Sequence, residues 1–270
     1  MIAARYPSAM LIVERRQRIL DVARARGTVS ASELAAAVGT SAVTIRRDIR
    51  AMAAAGQLQR TRGGAMIAPA LAHEPSSQEK AQVSAGEKAA IAELARELVH
   101  DGDSIILGPG TTTLALARLL VQCHGLTIVT TSLLIPAVFA RSSGVEVVLT
   151  GGTIRPSIDA VVGPAADRAL RAMCADHAFV SGTGLTAARG LTTSNLLVSA
   201  TDQAIIDAAR TVTVLADHTK IGREAMFQTV GAERIPTLIT DARADPEELA
   251  RFRDVGIDVR VAAGPSPDEN

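Results

Sequence analysis

Aromatic side chains are nearly absent from this chain, which has four Phe, one Tyr and no Trp, or 2% of its residues. A buried core must therefore be assembled from Ala, Val, Leu and Ile, and hydrophobic residues at 47% supply enough for one. Cysteine is almost as scarce. Cys123 and Cys174 have no partners at metal-ligand spacing, so neither a zinc site nor a disulfide framework is expected, and both read as small apolar residues. No metal and no cofactor are expected.

A continuous apolar span is also missing. The stretch 119–140 contains no Asp, Glu, Lys or Arg and has the length of a membrane helix. It is broken by Gln122, His124, Gly125, Thr130, Thr131, Ser132 and Pro136, and so reads as helix end, strand and loop. Met10 to Val13 is the only apolar run before Glu14-Arg15-Arg16, short of the roughly 7–15 residues that a signal peptide requires. A cytoplasmic location without a membrane partner is the expectation.

Net charge is absent as well, since 28 basic and 28 acidic residues cancel, but the cancellation hides a division. Up to position 70 there are eleven arginines, Arg5, Arg15, Arg16, Arg18, Arg24, Arg26, Arg46, Arg47, Arg50, Arg60 and Arg62. Only four acids, Glu14, Asp21, Glu33 and Asp48, oppose them. A basic head on an acidic body is the asymmetry expected of nucleic-acid binding, the competing reading being a solvated basic face.

Three helical patterns occupy this head. The first, 14–26, places Ile19, Leu20, Val22 and Ala23 inward and ends at Gly27, a suitable C-cap. The second starts at Ser30 or Ser32 and runs to Gly39. After the short turn Gly39-Thr40-Ser41 the third carries Ile45, Ile49 and Met52 on one face, with Ala42 beside them. Its opposite face bears Val43, Arg47 and Arg50, flanked by Thr44 and Arg46. This is a helix-turn-helix whose last helix suits a major groove: Arg donates to guanine or holds phosphate, and Thr or Val methyls meet the thymine methyl. Asp48 cannot usefully face DNA and is assigned an ion pair with a neighbouring Arg. The alternating stretch 57–64 reads as a β-wing with two further cations, Arg60 and Arg62.

The segments "RRQRIL" and "GTVSASELAAAVGTSAVTIRRDIRAMAAAGQLQRTRGGA" resemble the winged helix-turn-helix of the DeoR family of bacterial transcriptional regulators. The serine before "TIRRD" and the terminal "RGGA" carry the resemblance. It implies DNA contacts from Ser41, Val43, Thr44, Arg46, Arg47, Arg50, Arg60 and Arg62. In that family the reading frame opens close to the first helix, which makes Met10 a candidate start.

Residues 69–86, with Pro75, Ser76, Ser77 and Gly86, have no apolar period and read as linker. A helix over 86–100 follows, then apolar runs at 104–107, 127–130, 146–149, 178–180, 212–215, 237–240 and 258–261 alternating with helical segments. Such alternation predicts an α/β fold with a mostly parallel sheet covered on both faces, whose ligands bind beyond the carboxyl ends of the strands. Four loops at those ends are rich in Gly, Thr and Ser: 110–113, Gly151 to Arg155, Ser181 to Gly184 and Asp217 to Lys220. Glycines, hydroxyls, a helix N-terminus and a cation converging there make a phosphate site.

"DGDSIILGPGTTTLALARLL", "LTIVTTSL", "LTGGTIRPSIDAVVGPAA", "GLTTSN" and "LADHTKIGREAM" likewise resemble the sensor domain of the DeoR family, in the family's order. The resemblance implies a sugar-phosphate isomerase type of fold, like that of ribose-5-phosphate isomerase. The implied ligand is a phosphorylated sugar or similar small phosphate ester, held by Gly110, Thr111, Thr112, Thr113, Gly152, Arg155, Thr183 and Lys220. The expected layout is a winged head at 10–66, a linker at 67–85, an effector-binding and oligomerisation domain at 86–262 and a tail at 263–270.

An aldose–ketose isomerase needs a carboxylate base. In isomerases of the implied fold, acids follow the strand matching 178–180, and many regulators of the family keep one in a segment resembling "GADG". Here that segment is Ser181-Gly182-Thr183-Gly184, and no Asp or Glu occurs between Asp176 and Asp202. Gly108-Pro109 replaces the usual acidic-small pair before "GTTT", and Ala200 and Asp202 stand where Glu and Lys are frequent, so the effector stays unnamed. His218 beside Lys220 is a weak candidate base, and Asp217 is expected to orient Lys220 or cap a turn. Dinucleotide binding fails for want of a third glycine. The expectation is a non-enzymatic DNA-binding regulator, a repressor, controlled by a phosphorylated effector and acting on double-stranded operator DNA as a homo-oligomer, dimer or higher. The alternative is a sugar-phosphate isomerase with an accessory DNA-binding head.

Overall fold

The computed structural model describes residues 12–26, 28–54, 58–61, 63–66 and 76–264. The chain divides into two compact units, residues 1–70 and 71–270.

The first unit runs α1 (Ile12–Arg26), β1 (Thr28–Ser30), α2 (Ala31–Val38), α3 (Ala42–Ala54), β2 (Gln59–Thr61) and β3 (Gly64–Met66). Ser30, not Ser32, caps α2: its hydroxyl accepts from the Glu33 amide at 3.2 Å while Glu33 returns a bond to the Ser30 amide at 2.8 Å. This reciprocal box is written in the spacing Ser30-x-x-Glu33. Gly39 ends the helix in the left-handed region (φ 73°), and Ser41 then caps α3 through the Thr44 amide at 3.2 Å. Ile19, Ala23, Leu34, Ile45, Ile49 and Met52 close the core, with Leu20 and Val22 only partly buried. Gly27, proposed as a C-cap, lies outside the described residues.

The wing pairs antiparallel in the order β1-β3-β2, so it gains a strand that the sequence pattern did not suggest. Its two glycines answer different needs. Gly63 turns with φ 96°, whereas a Cβ on Gly64 would lie 2.0 Å from the Val29 carbonyl, so only glycine lets β3 reach β1.

The second unit runs α4 (Ser77–Gln82), α5 (Ala85–Arg96), β4 (Ser104–Leu107), α6 (Thr111–Leu119), β5 (Leu126–Thr130), α7 (Ile135–Phe139), β6 (Val145–Leu149), β7 (Thr153–Arg155), β8 (Ala160–Val162), α8 (Pro164–Arg171), β9 (Ala175–Val180), β10 (Gly184–Thr186), β11 (Gly190–Thr193), α9 (Leu196–Asp207), β12 (Ala209–Leu215), β13 (Phe227–Val230), β14 (Thr237–Asp241), α10 (Pro246–Asp254) and β15 (Asp258–Ala262). Seven strands form one sheet in the order β15-β14-β12-β9-β4-β5-β6, with every pairing parallel. These are the seven apolar runs of the sequence. They are apolar on both faces because helices cover both: Ile105, Leu107 and Phe179 enter one core cluster, and Ile106, Ala178 and Val180 the other.

The stretch read as linker is corrected in part, because α4 lies inside it. Ser76 and Glu79 form a second capping box around its first turn, at 3.2 and 2.7 Å, and six residues are too few to display an apolar period. A β7–β8 hairpin and a small sheet β10-β11-β13 were likewise not anticipated.

Asp48 is 4% exposed and receives Arg15 Nε at 2.7 Å and Arg16 Nε at 3.4 Å, pinning α1 to α3. Asp48→Ala removes the buried carboxylate that Arg15 and Arg16 share and is expected to destabilise the first unit by about 2 kcal/mol. Denaturant titrations followed through the exchange of α3 amides measure this; unchanged exchange contradicts it.

Candidate functional sites

Most of the residues expected to face DNA are exposed. Val43 is 73% exposed, Ser41, Arg46, Arg47 and Arg50 are exposed and Thr44 is half-buried, while Ile45, Asp48, Ile49 and Met52 point inward. Ser41 also has a structural task, since its hydroxyl contacts Thr44 Oγ1 at 2.9 Å as well as capping the helix. Arg60 is exposed on β2, and Arg62 lies outside the described residues. With the acid of α3 consumed internally by Arg15, this face presents cations alone among its charged side chains.

The second site follows from strand order. The chain leaves β4 for β5 and β6 on one side, then returns to the opposite side of β4 with β9, β12, β14 and β15. The loops after β4 and β9 therefore part at the sheet's switch point, where a crevice must open. An open cleft lies there, lined by Pro109, Gly110 and Thr111 from the first loop and Ser181, Gly182 and Thr183 from the second. Lys220, Ile158, Thr193, Val198, Asp202, Ser77 and Lys80 complete it.

Gly110 precedes α6 and offers no side-chain cap; the first amide bonded back along the helix is that of Leu114, to Gly110 O at 3.0 Å. The preceding N–H groups are available at the positive end of the helix. Thr113 Oγ1 donates to Gly110 O at 3.0 Å, and Thr112 Oγ1 is buried with no hydrogen-bond partner among the described residues. Opposite, Lys220 Nζ donates to Ser181 Oγ at 2.7 Å, which donates to Leu215 O at 2.8 Å. Gly182 lets this loop lie against β11, because a Cβ there would fall 2.5 Å from Leu191 Cδ1 and 3.0 Å from Thr192 O.

Charge beneath the cleft is arranged around Lys220. Burial pushes its pKa down, and Asp217 opposes that. Burial by itself would raise Asp217, but Lys220, the Thr219 hydroxyl and amide, and Lys88 together hold it below the ordinary carboxylate range. Asp217 accepts the Thr219 amide at 3.0 Å and the Thr219 hydroxyl, so it closes the turn and balances the lysine at once. Lys88, 4% exposed on α5, donates to Lys80 O at 2.5 Å and Val83 O at 2.6 Å; burial lowers its pKa to about 8.

Of the effector residues expected from sequence, Gly110, Thr111, Thr183 and Lys220 meet on the cleft. Thr112 and Thr113 are buried next to it, whereas Gly152 is exposed and Arg155 half-buried off the lining; that hairpin contributes Ile158 instead. His218 binds Asp241, through its amide at 2.7 Å and Nδ1 at 3.1 Å. The loop after β9 lacks an acid as expected, but the cleft does not, because α9 presents Val198 and Asp202, four residues apart on one face, and Asp202 is 5% exposed. The i, i+4 spacing was readable, but its direction was not.

A winged helix-turn-helix whose α3 exposes Arg46, Arg47 and Arg50, on a chain whose second unit opens a cleft at its switch point, defines the class of DNA-binding regulators with a second, larger unit. The model of the DeoR C terminal sensor domain matches residues 83–242, and that of the DeoR-like helix-turn-helix domain matches residues 15–69. The HTH-type transcriptional regulator YgbI of Escherichia coli (strain K12) is 35% identical over 90% of this chain and 94% of its own. The lactose phosphotransferase system repressor of Lactococcus lactis subsp. lactis is 32% identical (88% and 94%), and the HTH-type transcriptional regulator GlpR of Haloferax volcanii 31% (93% and 98%). The chain belongs to the DeoR family of transcriptional regulators. Among solved structures, ribose 5-phosphate isomerase A from Methanocaldococcus jannaschii matches at 19% identity over 49% of this chain and 52% of that one, with a TM-score of 0.36. No helix among the described residues is long and apolar enough to cross a membrane.

Lys88 gives a pH test with a definite sign. Its folded pKa of about 8 lies below the ordinary 10.5, so the unfolded chain holds the extra proton between those values. Stability therefore rises with pH across that window and is flat below it. Measured by thermal unfolding, the wild type should gain on Lys88→Met as pH passes from 8 towards 10.5; a constant difference contradicts the burial of this ammonium.

Proposed function

We propose that the protein is a repressor whose grip on operator DNA is set by a phosphorylated sugar or similar small phosphate ester bound in the cleft. The observation that carries this reading is the convergence of the α6 N-terminal amides and the Lys220 ammonium on one crevice. A phosphate is the ligand whose charge and acceptor oxygens satisfy both. The relative from Lactococcus lactis that is named as a repressor supports the direction of control. One small head reads a short half-site, and operators of this kind are read by paired heads. We therefore take the protein to act in the cytoplasm as a homo-oligomer, dimer or higher, joined through its second unit.

The cleft senses the ester without converting it. This reading is supported by relatives named as transcriptional regulators and by the acid-free loop after β9. Asp202 near a lysine-bearing wall gives the isomerase alternative its one foothold, so the test must include turnover. In a thermal-shift and calorimetric screen of pentose and hexose phosphates, at least one ester should bind, and Lys220→Ala should weaken it by roughly 10–100-fold, the loss of a charge-assisted bond. No ketose–aldose conversion should accompany binding; conversion that Lys220→Ala abolishes overturns the sensor reading, and binding indifferent to Lys220→Ala overturns the site.

The head separates recognition from positioning. On operator fragments selected by the protein from random-sequence DNA, Arg47→Ala is expected to lose about 1–3 kcal/mol of discrimination at one base pair. Arg60→Ala should weaken all sequences alike and lower the salt slope by about one. Unchanged selectivity in Arg47→Ala displaces the recognition face from α3.

A further inference from the structure

We propose that α4 is part of the ligand site and is the element through which occupancy of the cleft is reported to the DNA-binding unit. This rests on the phosphate reading and extends it to residues outside the matched sensor segment, since Ser77 and Lys80 precede position 83.

Ser77 and Lys80 are three apart, hence on one face of α4, and both line the cleft that holds Thr111 and Lys220. A helix of six residues does not hold itself together in water, so its ties decide whether it persists. One set is internal, the box of Ser76 and Glu79. Its outward ties include the burial of Ser77, the packing of α4 against α6, and the Lys88 ammonium, which donates to the carbonyls of Lys80 and Val83 at the helix's far end. Beyond Val83 the chain turns at Ser84, a non-glycine residue in the left-handed region (φ 54°), before α5 begins. So α4 is a separate short body hung from an elbow, and not the first turn of α5.

A phosphate ester in the cleft adds two outward ties at once, through the Lys80 ammonium and the Ser77 hydroxyl. A ligand that binds the docked α4 more tightly than the undocked one must shift the helix towards docking. Covalent order then supplies the route: α4 is the first described element after β3 of the wing, separated from it only by residues 67–75. Where α4 docks sets where the chain to the DNA-binding unit leaves the sensing unit.

The test is hydrogen exchange of amides 78–83 in the full chain, with inorganic phosphate and with the tightest ester of the screen, paired with operator affinity under the same conditions. In the wild type, ligand should slow exchange of these amides about tenfold and change operator affinity at least about fivefold. Lys80→Ala and Lys80→Gln should bind ligand roughly tenfold more weakly. At saturation they should show neither the protection nor the change in operator affinity. Wild-type exchange in α4 that ignores a bound ligand, or a Lys80 variant that keeps the full operator response, overturns the proposal while leaving the phosphate site standing. If neither phosphate nor any ester binds, the phosphate reading itself falls and takes this inference with it.

Discussion

One buried ammonium organises the sensing unit. Lys220 has lost much of its water, and a charge in that position persists only if it is bonded and balanced. Ser181 provides the bond at 2.7 Å and Asp217 the balance, and the two come from loops after adjacent strands, β9 and β12. The pairing therefore fixes the relative height of two loops at the sheet's carboxyl edge and leaves one cation facing the crevice. Lys88, the second buried ammonium, feels the same Asp217 and spends its own bonds on the end of α4. An anion entering the crevice meets a site whose positive charge is already in place, so little reorganisation opposes binding.

That arrangement also bears on why the same cleft suits sensing. Under the proposed reading, a ligand in the cleft would be coupled to α4 through Lys80, to α9 through Asp202 and to the β12 loop through Lys220, all of which line it. A proton-transfer site concentrates acid and base on one carbon atom, whereas the polar groups here, Lys80, Thr111, Asp202 and Lys220 among them, stand on separate elements. Linkage makes the relation reciprocal, so DNA that favours one state of the protein alters ligand affinity by the same factor.

Much of this was legible in the sequence. The seven strands were visible because burial on both faces leaves continuous apolar runs, and the recognition helix because Ile45, Ile49 and Met52 keep helical period while Arg46, Arg47 and Arg50 do not enter it. The short strands β7, β8, β10, β11 and β13 carry no such signal, since three or four residues cannot establish a period. α4 hid for the same reason, although its box, Ser76-x-x-Glu79, was as plain as the one that begins α2. Lys80, Lys88 and Asp202 could not be placed by pattern, because the fold alone decides that lysines on α4 and α5 and an acid on the distant α9 lie in or beside one cleft.

In the proposed function, the crevice between the β4 and β9 loops holds a phosphate. A crystal structure of the protein with the tightest ester of the screen tests it most directly. The account predicts the phosphate within hydrogen-bonding distance of the amides of Thr111 to Thr113 and of Lys220 Nζ. A phosphate bound elsewhere, with Lys220 still bonded only to Ser181, would contradict it.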